Sequence, residues 1–237
     1  MKGIVMFRLI SAYSKNSKYN LIHPIEKLIL TIFPILILGF TKSAIPLLIN
    51  IAFFALLHLL CKNPIKMVVK FAVTLTLFGL ISTITFVFDY GIYYSLVVVL
   101  KTLSGAMSLS FLVLTTPIDD IFYLTSKVNW LSDITDIAKN MERFIVLIED
   151  EYQIMYKAML VRGGFSGFKA KITDTAKMAG LLFVNTMKRW REIKDSIDAR
   201  CSRGCVVYMG KEFGVSVWRV LGCLGYCFVL VGSLVLV

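Results

Sequence analysis

Two arginines in the second half of this 237-residue chain stand in similar surroundings. Arg162 directly precedes Gly163, and Arg200 is followed within about one helical turn by Arg203 and Gly204. An arginine at the carboxyl end of a helix is an ordinary cap, because the helix dipole favours its charge and a glycine ends the helix readily. The same placement exposes a planar guanidinium that binds a carboxylate through two parallel hydrogen bonds. The surroundings of each arginine alone favour the capping role. The repetition of the arrangement at Arg162 and Arg200 suggests docking onto acidic residues of another protein.

Four of the five cysteines form two pairs at i,i+4 spacing, Cys201 with Cys205 and Cys223 with Cys227. That spacing places two thiols on one helix face, yet it supplies only half of the ligands of a structural zinc site, and no histidine lies nearby. The number of cysteines is odd, and three of them, including Cys61, lie in or beside apolar segments. We expect reduced thiols that pack between helices, and no metal site.

Lys101 is the one charge well inside an apolar stretch long enough to cross a membrane. A charge at that depth is costly, which suggests a function. No acidic partner is visible in the other apolar stretches, so a lysine that faces the helix bundle, or a span shifted toward one interface, explains it about as well.

Sequence signatures of catalysis are absent. The two histidines, His23 and His58, belong to no HExxH motif, and the chain has no nucleophile elbow. The glycines that begin with Gly163 lack the preceding strand and the lysine of a phosphate-binding loop. We therefore expect a chain that is not an enzyme and binds neither ATP nor another cofactor.

Membrane helices must position these residues, since 57% of the chain is hydrophobic and only 17% is charged, against roughly 25% charged residues in soluble domains. The apolar run 28–60 would make about 50 Å of helix, too long for one crossing of a roughly 30 Å core, and polar residues 41–43 divide it. With apolar segments at about 67–88, 91–115 and 218–237, the sequence predicts an all-α integral membrane protein with five transmembrane helices. No continuous apolar run occurs before residue 20, so we expect no cleaved signal peptide.

The charge pattern predicts the orientation of three regions: residues 1–116 with four spans, a cytoplasmic region at 117–217, and the last span at 218–237. With the N-terminus inside, every basic residue except Lys42 and Lys101 falls on the cytoplasmic side, as the positive-inside rule requires. A net charge of +11 would suggest nucleic acid in a soluble protein. Here the basic residues flank the spans, so orientation and anionic lipid headgroups explain the charge, and no nucleic acid partner is expected.

Two amphipathic helices of about 30 residues each are predicted in the cytoplasmic region, because apolar residues recur there at steps of three or four. The apolar positions are Ile134, Ile137, Met141, Phe144, Ile148, Tyr152, Met155 and Met159 in the first helix, and Ile172, Ala176, Ala179, Phe183, Met187, Trp190, Ile193 and Ile197 in the second. Tied to membrane spans at both ends, these helices would lie along or under the bilayer. A solvated helical hairpin is the alternative.

Four short motifs occur in order along the chain: His23 to Leu28, Thr115-Thr116-Pro117, Ala158 to Phe165 with its Arg162-Gly163, and Ser196 to Arg200. In this order and on this topology they resemble the transmembrane coupling (T) component of energy-coupling factor transporters, the CbiQ/EcfT family that includes the membrane subunit of cobalt importers. The resemblance covers nearly the whole chain. Val161 and Cys201 depart from the family pattern, replacing an alanine of the first arginine motif and the glycine of the second. Because cysteine adopts φ > 0 less readily than glycine, the second helix end is expected to have a different shape.

The resemblance implies a coupling subunit in a prokaryotic cell membrane, with two cytosolic ATP-binding subunits and a separate membrane-embedded substrate-binding subunit as partners. ATP and magnesium would belong to those ATPases. The residues implied to contact them are Arg162, Gly163, Arg200, Arg203 and Gly204. The motif at His23 to Leu28 and the continuous helical stretch in the middle of the chain favour cobalt or nickel as cargo. They favour these ions over the vitamins that a shared coupling subunit would serve. An intramembrane enzyme that uses the cysteine pairs or Lys101, and a membrane scaffold, are the alternatives from other classes.

Overall fold

The computed structural model describes residues 10–17, 19, 22–201, 213 and 217–235, and this part of the chain is helical, with no strand assigned. Residues 10–16 are helical. The further helices are α1 (Pro24–Gly39), α2 (Ile45–Leu60), α3 (Ile65–Thr115), α4 (Ile118–Ser126), α5 (Ser132–Val161), α6 (Phe168–Ala199) and α7 (Val217–Val235). The predicted all-α fold is confirmed for these residues.

Local signals in the sequence set the limits of α1 and α2. The His23 side chain accepts a hydrogen bond from the Ile25 amide at 3.2 Å, and Pro24 occupies the first position of α1, where a missing N–H costs nothing. The polar residues 41–43 fall between the end of α1 and the start of α2, so the predicted break in the long apolar run is confirmed.

Helix α3 folds back on itself at Gly91, whose backbone (φ 83°, ψ 171°) is not helical. A Cβ atom placed on Gly79 would lie 2.6–2.9 Å from three side-chain atoms of Thr102. Residues 23 positions apart in one straight helix would be separated by about 35 Å, so the two halves form a tight antiparallel hairpin. Glycine at position 79 permits this close approach.

Among the described residues, two helices are long and apolar enough to cross a membrane by length and composition, and they are the halves of α3, Ile65–Phe88 and Tyr90–Thr115. Helices α1 and α2 have 16 residues each, about 24 Å of helix against a hydrocarbon core of roughly 30 Å. In α7 the apolar helical stretch is Leu221–Ser233. The count of five crossings therefore stays a prediction.

The chain divides into two compact units, Met1–Ile121 with Gly210–Val237, and Phe122–Met209. The first unit is built around an apolar cluster of Leu38, Leu47, Val97 and Leu230. A second cluster contains Phe54, Cys61 and Phe111.

A polar cluster connects three helices of the first unit. Asn50 of α2 is fully buried, and its amide nitrogen donates to the hydroxyls of Ser104 and Ser108 in α3 at 2.7 and 3.1 Å. The Tyr226 hydroxyl of α7 donates to the Asn50 carbonyl oxygen at 2.6 Å. Hydrogen bonds between helices hold membrane bundles together where water cannot compete, and this cluster fixes α7 against α2.

The second unit contains α5 and α6, which lie where the apolar spacing predicted two long helices. They contact each other through Asn185, whose amide nitrogen donates to Glu151 Oε1 at 2.9 Å. Some of the apolar residues that recur at this spacing face outward: Ile137 is 62% exposed and Phe183 is 63% exposed. The two helices therefore leave apolar surface that the unit does not cover.

Candidate functional site

The first arginine end is a complete Schellman motif. Arg162 is the C-cap of α5, Gly163 follows in the left-handed region at φ 76°, and the Gly163 amide donates to the Leu160 carbonyl at 3.2 Å. The Gly164 amide donates to the Met159 carbonyl at 2.9 Å, which completes the pair of bonds that define the motif. A Cβ on Gly164 would lie 2.8 Å from that same carbonyl oxygen. Both glycines are therefore needed for the helix to end where it does.

The turn that follows Arg162 is held by a residue that the sequence analysis missed. Asp174, in the second turn of α6, accepts a hydrogen bond from the Phe165 amide at 2.9 Å. The Phe165 ring packs against Tyr156 of α5 with ring centroids 5.1 Å apart. No local pattern distinguishes Asp174 from the other acids of this helix, because its partner is a backbone amide nine positions earlier. The effect is to hold the first arginine end in one orientation relative to α6.

The second arginine end repeats, despite the cysteine, the part of this backbone that lies within the described residues. Arg200 is the C-cap of α6, and the Cys201 amide donates to the Asp198 carbonyl at 3.0 Å. Cys201 lies in the left-handed region at φ 51°, the same conformational region as Gly163. The expectation of a different shape at this helix end was wrong for these residues, because the capping hydrogen bond holds cysteine in a conformation it adopts less readily than glycine. Arg203 and Gly204 lie outside the described residues.

Both arginine side chains are exposed. Among the described residues neither Arg162 nor Arg200 forms an ion pair, whereas Lys139 pairs with Glu142 on α5 at 2.6 Å. The two arginines stand at opposite ends of α6, and its 32 residues correspond to about 48 Å. This arrangement presents two separate cationic ends, each able to bind a carboxylate.

A cavity of about 210 Å³ lies between α5 and α6. Its walls combine the apolar residues Phe144, Leu147 and Ile148 with charged residues that include Arg189 and Glu192. The cavity lies away from both arginine ends.

Two of the motifs singled out in the sequence meet in the structure. Lys27 is 4% exposed, and its ammonium donates to the main-chain carbonyl of Thr115 at 2.8 Å, across 88 positions of sequence. A carbonyl at a helix end has no partner within the helix, so the lysine stabilises the end of α3. The neighbouring Glu26 is also buried, and its carboxylate lies 3.7 Å from Nε of Arg219. Charges near the start of α1 therefore contact the end of α3 and the first turn of α7.

Lys101 has a structural partner. Its ammonium donates to the carbonyl of Gly39 at 2.9 Å, the last residue of α1. A cation is favoured at the carboxyl end of a helix. Of the interpretations drawn from the sequence, the structure supports a lysine that faces a neighbouring helix.

The four cysteines within the described residues, Cys61, Cys201, Cys223 and Cys227, are free thiols. Burial raises the pKa of the Cys61 thiol to about 11, despite an opposing effect of the Lys27 charge. Cys223 and Cys227 are half-buried, and within the described ranges no group of three or more His, Cys, Asp or Glu side chains is placed to hold a metal ion. Cys205 lies outside those ranges.

Comparison with known proteins gives a family match that spans most of the chain. Residues 15–209 match the family described as CbiQ, cobalt transport protein. A putative fused cobalt transport protein, CbiMQ, of Methanocorpusculum labreanum is 32% identical over 112 residues, which are 47% of this chain and 19% of that protein. An uncharacterized protein of Methanocaldococcus jannaschii is 24% identical over 223 residues, covering 85% of this chain and 83% of the relative. The chain thus matches a small part of the fused relative and most of the second.

Proposed function

Because this chain belongs to the CbiQ family of cobalt transport proteins, and is therefore a membrane component of a transport system, we propose that it is the coupling subunit of an ATP-driven importer. In this role it transmits ATP hydrolysis by two cytosolic subunits to a separate substrate-binding subunit in the membrane. The observation that carries the proposal is the pair of exposed arginine caps, Arg162 and Arg200, with a left-handed residue directly after each.

The matching backbone supports binding to two similar partners. A C-cap arginine followed by a left-handed residue directs the chain away from the helix in a defined way, so each end offers the same combination of guanidinium and bent backbone. Helix α6 lies between the two ends in the chain, and its length of about 48 Å is too large for one small groove. Two ATPase subunits, each with an acidic groove, fit this arrangement, and Arg162 with Gly163 and Arg200 with Arg203 and Gly204 are the proposed contacts.

The two long helices are suited to carry a movement between partners. Helix α6 is continuous over 32 residues, and Asp174 ties its first turns to the Arg162 end at 2.9 Å. A displacement at either arginine end is therefore passed along a rigid rod instead of being absorbed by a loop. The exposed apolar residues of α5 and α6, such as Ile137 and Phe183, offer a surface for the substrate-binding subunit or the membrane.

The proposed topology places the N-terminus and the helices α5 and α6 in the cytoplasm of a prokaryotic cell, with several membrane crossings. The distribution of basic residues supports it, since Lys42 follows α1 on the opposite side from Lys62, Lys66 and Lys70. ATP and magnesium belong to the partner subunits in this proposal, and the chain itself is not catalytic.

Cobalt is the proposed cargo. The family and the fused relative are both described as cobalt transport proteins, and this favours cobalt over nickel or the vitamins of a shared coupling subunit. The cargo ion is bound by the separate substrate-binding subunit in this proposal.

Co-purification tests the proposal. The tagged chain is extracted from its own cells in mild detergent, and bound proteins are identified by mass spectrometry. We expect two copies of ATP-binding subunits with the wild-type chain, and their loss from the Arg162→Ala/Arg200→Ala double variant. Truncating one partner of a desolvated charge pair costs roughly 2–5 kcal/mol, about 30-fold or more in affinity for each arginine.

The matched control replaces two other exposed cations on the same helices, Lys157 and Lys177, by alanine, and it should retain the ATPases. Equal retention in the arginine double variant, or equal loss in the lysine control, would count against the proposal. An intramembrane enzyme is distinguished by activity of the purified chain without ATPases.

A further inference from the structure

Two adjoining cavities lie beside the turn that connects α2 and α3, with volumes of about 640 and 280 Å³. Both are lined by Tyr13, Lys62, Asn63 and Pro64. The larger one continues along Leu59, Ile65, Lys66 and Met67. Because they share these four residues, the two cavities form one recess, which is polar at the turn and apolar toward the helices.

The charged side chains among the described lining residues of this recess are all positive. Among the described residues that line it, Lys62 and Lys66 are the charged ones, and both are exposed. His58 also lines the larger cavity, but its ring nitrogens lie within hydrogen-bond distance of Asn63 Nδ2 (3.0 Å) and Ser110 Oγ (2.9 Å). Two ammonium groups, with no carboxylate among the described lining residues, select for an anion.

The position of the recess indicates what kind of anion it takes. Ile65 begins a helix of 24 residues that is apolar enough to cross a membrane, and about 36 Å of helix exceeds the hydrocarbon thickness. Its first turn therefore lies at the membrane surface. Leu59 and Ile65 on the wall are 64% and 63% exposed, an apolar surface that suits an acyl chain and gives a free inorganic anion nothing to bind.

We propose that this recess binds the phosphate of an anionic phospholipid between Lys62 and Lys66, with the start of its acyl chain along Leu59 and Ile65. A lysine near the membrane surface extends its apolar stem along such a wall and keeps its charge at the headgroups. The site is independent of the ATPase-coupling role.

The backbone at Lys62 provides a test that separates binding from folding. Lys62 lies in the left-handed region at φ 51°, where the Asn63 amide donates to the His58 carbonyl at 3.2 Å to close the α2 end. Glycine adopts this conformation without strain, while lysine does not. Lys62→Gly should therefore leave the fold at least as stable and remove one of the two cations.

The experiment titrates dioctanoyl phosphatidylglycerol into the detergent-purified full chain and follows its thermal unfolding. We expect dose-dependent stabilisation, with no effect of dioctanoyl phosphatidylcholine or inorganic phosphate at the same concentrations. Each basic residue close to an anionic lipid contributes roughly a fivefold gain in binding. The Lys62→Gln/Lys66→Gln double variant should bind about 25-fold more weakly, and Lys62→Gly about fivefold.

The control is Lys70→Gln, one helical turn beyond Lys66 and outside the lining, and it should bind like the wild type. Equal stabilisation by phosphatidylcholine would overturn the proposal, as would full stabilisation by inorganic phosphate, which would assign the site to a free anion. Undiminished binding by the double variant or by Lys62→Gly, or an equal loss in Lys70→Gln, would also overturn it.

Discussion

Single residues decide how the two arginine ends are shaped. At the first end glycine occupies the left-handed position, and at the second Cys201 occupies it at φ 51°. The capping hydrogen bond to Asp198 and the end of a continuous helix hold the cysteine there. The cost falls on stability instead of on shape, so the backbone at Cys201 lies in the same conformational region as that at Gly163.

Substitutions at Cys201 and Gly163 test whether the left-handed cysteine lowers stability. A non-glycine residue in the left-handed region costs about 1–2 kcal/mol, part of which is offset because glycine is more flexible in the unfolded chain. Cys201→Gly should stabilise the end of α6 by up to about 1 kcal/mol. Gly163→Ala should destabilise the end of α5 by a similar amount. Hydrogen exchange of the amides in the last turn of each helix measures both effects, and slower exchange in Gly163→Ala would contradict the conformational explanation.

At the scale of elements, the hairpin of α3 depends on how closely its two halves approach. The position of a Cβ at Gly79 is already within 2.6–2.9 Å of Thr102. Thr102 is β-branched and has little freedom to move. Gly79→Ala should therefore force the halves apart and destabilise the protein by roughly 1–3 kcal/mol.

Gly105 gives the control, since a Cβ there meets no atom within 4 Å. Gly105→Ala should be neutral or slightly stabilising, because alanine is the better helix former. Unfolding of both variants in mixed detergent micelles compares them directly. A Gly79→Ala variant as stable as Gly105→Ala would show that the hairpin is not tightly packed at this point.

The sequence predicted elements well and contacts between distant elements poorly. The break at residues 41–43, the separation of the apolar segments 67–88 and 91–115, and the extents of α5 and α6 follow from polar residues and apolar spacing, which act over a few neighbours. The bond from Lys27 to the Thr115 carbonyl joins residues 88 positions apart, and that from Lys101 to the Gly39 carbonyl joins residues 62 apart. No local pattern encodes such pairs, because they arise when helices pack.

The candidate site was predictable only in part. Arg162 and Arg200 were found because their local contexts repeat, but Asp174, which holds the turn, has a backbone partner that no sequence pattern marks. Lys62 gave no signal beyond its charge, since its left-handed backbone depends on how α2 ends.

At the scale of the whole molecule, the proposed topology can be measured by labelling single cysteines in a chain whose native cysteines are replaced by alanine. A cysteine at Lys42 should react with a membrane-impermeant maleimide in intact cells. A cysteine at Lys157 should react only after the membrane is permeabilised, because the positive-inside rule places α5 in the cytoplasm. Labelling of both positions in intact cells, or of Lys157→Cys alone, would refute this orientation.

The most direct test of the coupling role is ATP-driven uptake of cobalt ions by cells that carry the chain and its partners. The Arg162→Ala/Arg200→Ala double variant should insert into the membrane normally and show uptake at the background level. The Lys157→Ala/Lys177→Ala control should transport like the wild type. Full uptake by the arginine double variant would contradict the proposal that the two helix ends couple the ATPases to transport.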